Sequence, residues 1–173
     1  LITLDFETYY DRDYSLRKIT TEAYVRDPRF EVIGVAVKVN DGETEWASGT
    51  HEQLKRYLEA FHWEEAMVLC HNTMFDGAIL NWRFGICPRM YTDTLCIARA
   101  LHGTEARASL AALSERYNLG IKGTEVVRAL GKRRGDFGPV DLAEYGDYCI
   151  NDVDLTYKLF SRMARQFPKQ ELR

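Results

Sequence analysis

The 173 residues suffice for one compact domain with a sizeable core. Hydrophobic residues make up 46% and charged residues 28%, a balance that excludes a disordered chain. The net charge of -3 excludes a uniformly basic nucleic-acid binder, so such a partner needs a local basic patch or cations at an acidic site.

No apolar run approaches the roughly 20 residues of a membrane span, which excludes a spanning helix. Cys70, Cys87, Cys96 and Cys149 show neither zinc-ribbon nor redox-pair spacing and read as reduced thiols of a cytoplasmic protein. The chain opens on strand-like residues with no signal peptide and no initiator Met, and it ends on a basic stretch at 169–173. Both ends point to a fragment of a longer protein.

In residues 1–8 (LITLDFET), Ile2, Leu4 and Phe6 alternate with Thr3, Asp5 and Glu7, the period-two pattern of a strand. Asp5 and Glu7 therefore share one face, where each carboxylate pushes the other toward its neutral form. Alone, the pair fits a solvated strand end; a divalent-metal site is the sharper alternative. Residues 9–27 read as a polar, aromatic-bearing loop, ended by a turn at Asp27-Pro28. Residues 30–39 (FEVIGVAVKV) read as a buried strand, and Asp41-Gly42 turns the chain into a third strand at 44–47.

Thr50 is the candidate cap of a helix reaching Phe61, followed by a central strand at 66–70 that ends in His71-Asn72. A helix is predicted over 74–84, closed by Gly85, then a fifth strand at 89–92. Thr92 or Asp93 caps the next helix. Residues 106–118 form an amphipathic helix, 122–139 are irregular with a basic run at Lys132, Arg133 and Arg134, and 141–165 form a long helix capped by Asp141. The order predicts an α/β fold: a mixed five-stranded sheet, with a three-strand antiparallel meander plus parallel strands, flanked by helices.

Three short patterns bear on function. They are Asp5-x-Glu7, then Asn72-x-x-Phe75-Asp76 where the central strand meets a helix, then Tyr148-x-x-x-Asp152, whose spacing puts both residues on one helix face. Singly, each is weak. In this order they resemble the three motifs of the DEDD exonuclease superfamily, and the tyrosine resembles the DEDDy branch. The surrounding phrases, including Ile121-Lys122-Gly123, are most similar to proofreading domains of phage or bacterial family A DNA polymerases. The resemblance implies a ribonuclease-H-like fold and a 3′→5′ exonuclease of a bacterial or phage-infected cell, acting on a single-stranded DNA 3′ end and releasing nucleoside 5′-monophosphates. It also implies a polymerase domain in cis.

Phosphodiester hydrolysis needs an activated water, charge stabilisation at phosphorus and a stabilised leaving oxygen, and two divalent cations about 3.5–4 Å apart supply all three. Mg²⁺ and Mn²⁺ suit hard oxygen donors. By resemblance the ligands are Asp5, Glu7, Asp76 and Asp152, with Asp5 bridging, and Tyr148, protonated at neutral pH, orients the water. Candidate substrate contacts are Thr8, by its backbone N–H or hydroxyl, and Leu16 and Phe75, by packing on terminal bases. Asn72 either bonds a sugar or phosphate or caps its helix. Lys132, Arg133 and Arg134 either hold phosphates or form a solvated basic loop. His71 reads as structural, Asp154 as surface. Rival readings are a free-standing exoribonuclease, an inactive module that binds nucleic acid or a partner, and a phosphatase-like hydrolase.

Overall fold

A computed structural model describes residues 1–123 and 129–172. Part of the irregular stretch predicted at 122–139, and Arg173 of the basic end, lie outside the described residues. The strands are β1 (Ile2–Thr8), β2 (Val32–Val39), β3 (Thr44–Ser48), β4 (Met67–Cys70) and β5 (Met90–Asp93). The helices are α1 (Thr21–Arg26), α2 (His51–Leu58), α3 (Thr73–Phe84), α4 (Thr94–His102), α5 (Leu110–Arg116) and α6 (Pro139–Met163). The sheet order is β3-β2-β1-β4-β5, antiparallel from β3 to β1 and parallel from β1 to β5. This is the mixed sheet that the sequence pattern predicts.

Strand alternation sorts β1 between two layers. Ile2, Leu4 and Phe6 join a core with Tyr24 and Val25 of α1, Leu54 and Leu58 of α2, and Ile79, Leu80 and Phe84 of α3. Asp5 and Glu7 take the other face, over which α6 lies, with Cys149 and Val153 packed on Ala36 of β2. β1 pairs with β4 only at Ile2↔Val68 and Thr3↔Leu69. Beyond that the two strands part, and the amide of Phe6 is free to meet a side chain. Open parallel sheets place ligands at such carboxyl-end crevices.

Several boundaries differ from expectation. The segment 9–27 contains α1, a six-residue helix capped by Thr20 and too short to show periodicity. The helix predicted over 106–118 runs only over Leu110–Arg116, capped by Ser109. α2 stops at Leu58 rather than Phe61. Asp141 is not the cap of the last helix: Gly138 holds that position, Pro139 opens the helix, and Asp141 sits in its first turn. Asp154 is not a free surface group, because Lys38 (3.0 Å) and the Thr44 hydroxyl (2.6 Å) donate to it and tie α6 to the β2–β3 hairpin.

Candidate active site

β1 presents Asp5 and Glu7, α3 presents Asp76, and α6 presents Tyr148 and Asp152. One oxygen each of Asp5 and Glu7 and the Cys149 sulfur all lie within 4.8 Å of one another. Asp76 is buried and accepts the buried Phe6 N–H at 3.0 Å, an amide that β4 leaves unpaired where the two strands part. Asp152 is 5% exposed; its Oδ2 pairs with Lys122, and its buried Oδ1 has no protein partner.

The carboxylates feel one another. Burial, then Asp152, raises the Asp5 carboxyl from its ordinary value to about 7, with Lys122 acting against the rise. Burial, then Asp5, pushes Glu7 and Asp76 well up. Burial raises Asp152, opposed by Lys122. Such a cluster takes up protons or cations readily. Its donors are hard oxygens, and one of them is buried and unpartnered, so the residues present fit a hard divalent cation.

Tyr148 is buried, and burial, then Asp152, keeps its phenol far above its ordinary value and protonated at neutral pH. The Lys122 ammonium lies 5.2 Å from the centre of its ring. Tyr145, one turn earlier on the same helix face, donates from its hydroxyl to Glu7 Oε2 at 2.5 Å. Its ring stacks between Phe137 (5.4 Å) and Tyr148 (6.4 Å).

Beside Glu7 opens a cleft of about 700 Å³ whose lining includes Thr8, Tyr10, Leu16, Tyr24, Phe75 and Leu130, with Arg12, Arg17 and Lys18 along it. The structure thus brings Thr8, Leu16 and Phe75 together beside Glu7. The Thr8 hydroxyl is engaged with the Tyr24 hydroxyl at 2.9 Å. Asn72 does not cap α3 with its side chain: it is exposed, in the left-handed region (φ 74°), and makes no capping bond. Asp93 takes its place, accepting the N–H groups of Asn72 (2.9 Å) and Thr73 (3.2 Å) while also capping α4 through Leu95 (2.8 Å).

The basic run is not a free solvated loop, and it does not line the cleft. Arg133 pairs with Glu31 at 2.6 Å and lies over the Tyr9 ring at 4.1 Å. The Arg134 backbone N–H also goes to Glu31 (3.0 Å), and Lys132 approaches Asp141 at 4.0 Å. Nδ1 of His71 meets the Thr94 hydroxyl at 2.8 Å, and burial lowers the imidazole to about 4, so it stays neutral.

Residues 2–168 match the 3'-5' exonuclease family. The chain belongs to that family. No curated protein matches it by sequence. Among solved structures, this exonuclease shares its fold with Brucella melitensis NrnC, at TM-score 0.70 and 14% identity over 98% of this chain and 74% of that one. The catalytic core of Trypanosoma brucei RRP6 gives 0.67 and 15% over 95% and 41% of the two chains. The family B DNA polymerase of Pyrobaculum calidifontis gives 0.66 and 18% over 94% and 24%.

Three neighbours of the exonuclease carboxylates escaped the sequence reading. Tyr145 had a signal, because it precedes Tyr148 by one helical turn. Cys149, whose sulfur lies 3.3 Å from the Asp5 carbonyl oxygen, reads in the sequence only as a reduced thiol. Lys122 sits in a segment with no periodicity to report where its side chain goes.

Proposed function

We propose that this exonuclease is a two-metal DEDDy enzyme that trims single-stranded DNA from its 3′ end and releases nucleoside 5′-monophosphates, as the proofreading partner of a polymerase domain in cis in the cytoplasm. The observation that carries this reading is that Asp5, Glu7, Asp76, Asp152 and Tyr148 lie near enough to act on one another's charge, with Glu7 lining a cleft of about 700 Å³. Asp5, Glu7, Asp76 and Asp152 would hold the cations, Mg²⁺ or Mn²⁺. When bound, these supply acidity to the attacking water and charge stabilisation to the leaving oxygen.

The chain's own residues do the rest. Tyr148 keeps its proton and orients the water by hydrogen bond; it does not act as a base. Leu16 and Phe75 offer apolar surface for the terminal base, which any sequence can use. Arg12 and Arg17 line the cleft with Glu7 and Asp11 and offer guanidinium groups to phosphates, while Lys18 there is paired with Asp13 at 3.0 Å. No helix among the described residues is long and apolar enough to cross a membrane.

The phrases around the three motifs support DNA. RNA is the second reading, because the fold is shared with NrnC, one structure of which is bound to pGG, and with Trypanosoma brucei RNase D in complex with RNA U12. The test is a matched pair of 5′-labelled DNA and RNA oligonucleotides with Mg²⁺ or Mn²⁺. A DNA ladder shrinking from the 3′ end, lost with a chelator and in Asp5→Ala, supports the proposal. Cleavage of RNA alone transfers it to the second reading. In the same assay Tyr148→Phe should lower the rate about a hundredfold with metal binding intact.

A further inference from the structure

Four carboxylates converge with one ammonium among them. Lys122 reaches Asp152 from thirty residues away and pairs with its Oδ2, while Oδ1 stays bare. The same ammonium lies over the Tyr148 ring, and its charge acts on Asp5 and Glu7 as well as Asp152. Its side chain remains 27% exposed, against 6% for Asp152, so it has a path to solvent. It belongs to no helix or strand, and Gly123 follows it.

We propose that Lys122 is a built-in counter-cation of the carboxylate site, holding Asp152 Oδ2 in the metal-free protein and opposing a divalent cation by its charge while Oδ1 stays open to ligate. The inference rests on the metal-binding part of the proposed function and not on the nuclease activity. Without some positive charge, four half-buried or buried carboxylates repel one another. The ammonium relieves this for the free protein. It also competes, because its unit positive charge lies against the same carboxylate that would ligate the cation through its bare Oδ1. Lys122 is thus a positioning residue that weakens metal affinity while keeping the empty site assembled. Arginine keeps the charge, so Lys122→Arg should retain most of the effect, whereas methionine keeps the length and loses the charge.

The experiment is a Mn²⁺ titration by calorimetry on the parent, Lys122→Met and Lys122→Arg, with thermal melts in chelator and in saturating Mn²⁺. Removing a unit charge beside the site should tighten Mn²⁺ binding at least about tenfold in Lys122→Met. Its Tm should fall in chelator and recover with Mn²⁺, while Lys122→Arg stays near the parent. A merely structural lysine would lower Tm equally under both conditions and leave affinity unmoved. Unchanged or weaker Mn²⁺ binding in Lys122→Met overturns the proposal. If Lys122→Met does not fold in chelator, the parent decides. With isotope-labelled lysine, the ammonium resonance missing from Lys122→Arg should shift on Mg²⁺ addition, and a resonance indifferent to saturating Mg²⁺ sinks the idea. These readouts need no cleavage, so a protein inert on DNA and RNA that still shows them would lose the nuclease reading and keep this one.

Discussion

The Tyr145 hydroxyl donates to Glu7 Oε2 at 2.5 Å and fixes one carboxylate of β1 from a helix 138 residues later. A carboxylate meant for a metal has two rotational options, and a donor on one oxygen leaves the other free to ligate. Tyr145→Phe should therefore lower metal affinity or exonuclease rate by about tenfold to a hundredfold. The ring stack with Phe137 and Tyr148 survives the change, so Tm should hold. A Mg²⁺ titration of activity that superimposes on the parent would separate Tyr145 from Glu7.

The raised Asp5 carboxyl makes the metal-free protein pH-sensitive in a defined direction. Its folded value is about 7 against an ordinary 3.8, so the folded state binds the proton more tightly. The stability this brings is full below about pH 4 and is lost as pH rises through about 7. His71 works in the opposite sense: lowered to about 4 from 6.5, it favours folding above 6.5 and loses that contribution toward 4. The window from about pH 6.5 to 8 therefore isolates the carboxylates. Melts in chelator should show Tm falling across it, Asp5→Asn should flatten the slope, and Mg²⁺ should remove it. A Tm that rises with pH in chelator would contradict the cluster's electrostatics.

Much of this site could be seen in the sequence because periodicity reports where side chains point. Alternation in residues 2–8 put Asp5 and Glu7 on one face, and the i,i+4 spacing joined Tyr148 to Asp152. What periodicity does not report was missed or misplaced. α1 is shorter than two turns, Lys122 lies in irregular chain, and the Arg133–Glu31 pair spans 102 residues. In the sequence Asn72 reads as either a substrate contact or the cap of α3, because a cap is normally local. In the structure, Asp93 reaches across from the end of the neighbouring strand to serve two helices, a tertiary contact that no local rule contains.

The cleft gives a binding prediction. Leu16 is 44% exposed and lines the cleft with Phe75. Phe75 also leans on the Tyr24 ring at 6.0 Å, so its truncation would disturb packing, whereas Leu16→Ala would not. Stacking platforms contribute about 1–3 kcal/mol per base, so Leu16→Ala should raise KM for a single-stranded oligonucleotide about fivefold with little change in kcat. An unchanged KM would place the terminal base elsewhere.

The position of α6 depends on how closely a helix can approach one indole. Trp46 of β3 is clasped between Gly34 of β2 and Gly146 of α6. A Cβ added at Gly146 would fall 2.6 Å from Trp46 Cδ1 and 2.7 Å from Cγ, the inner atoms of a rigid ring. Gly146→Ala must therefore lift α6 or push Trp46, at a cost of about 1–3 kcal/mol in urea unfolding. Because α6 also carries Tyr145, Tyr148 and Asp152, a shift of a few tenths of an ångström would move the site, and activity should fall more steeply than stability. The double variant Gly146→Ala with Trp46→Leu tests the cause. If the clash is responsible, adding Gly146→Ala to Trp46→Leu should cost far less than adding it to the parent. Equal costs in both backgrounds would mean that the glycine is needed for something other than room for the indole.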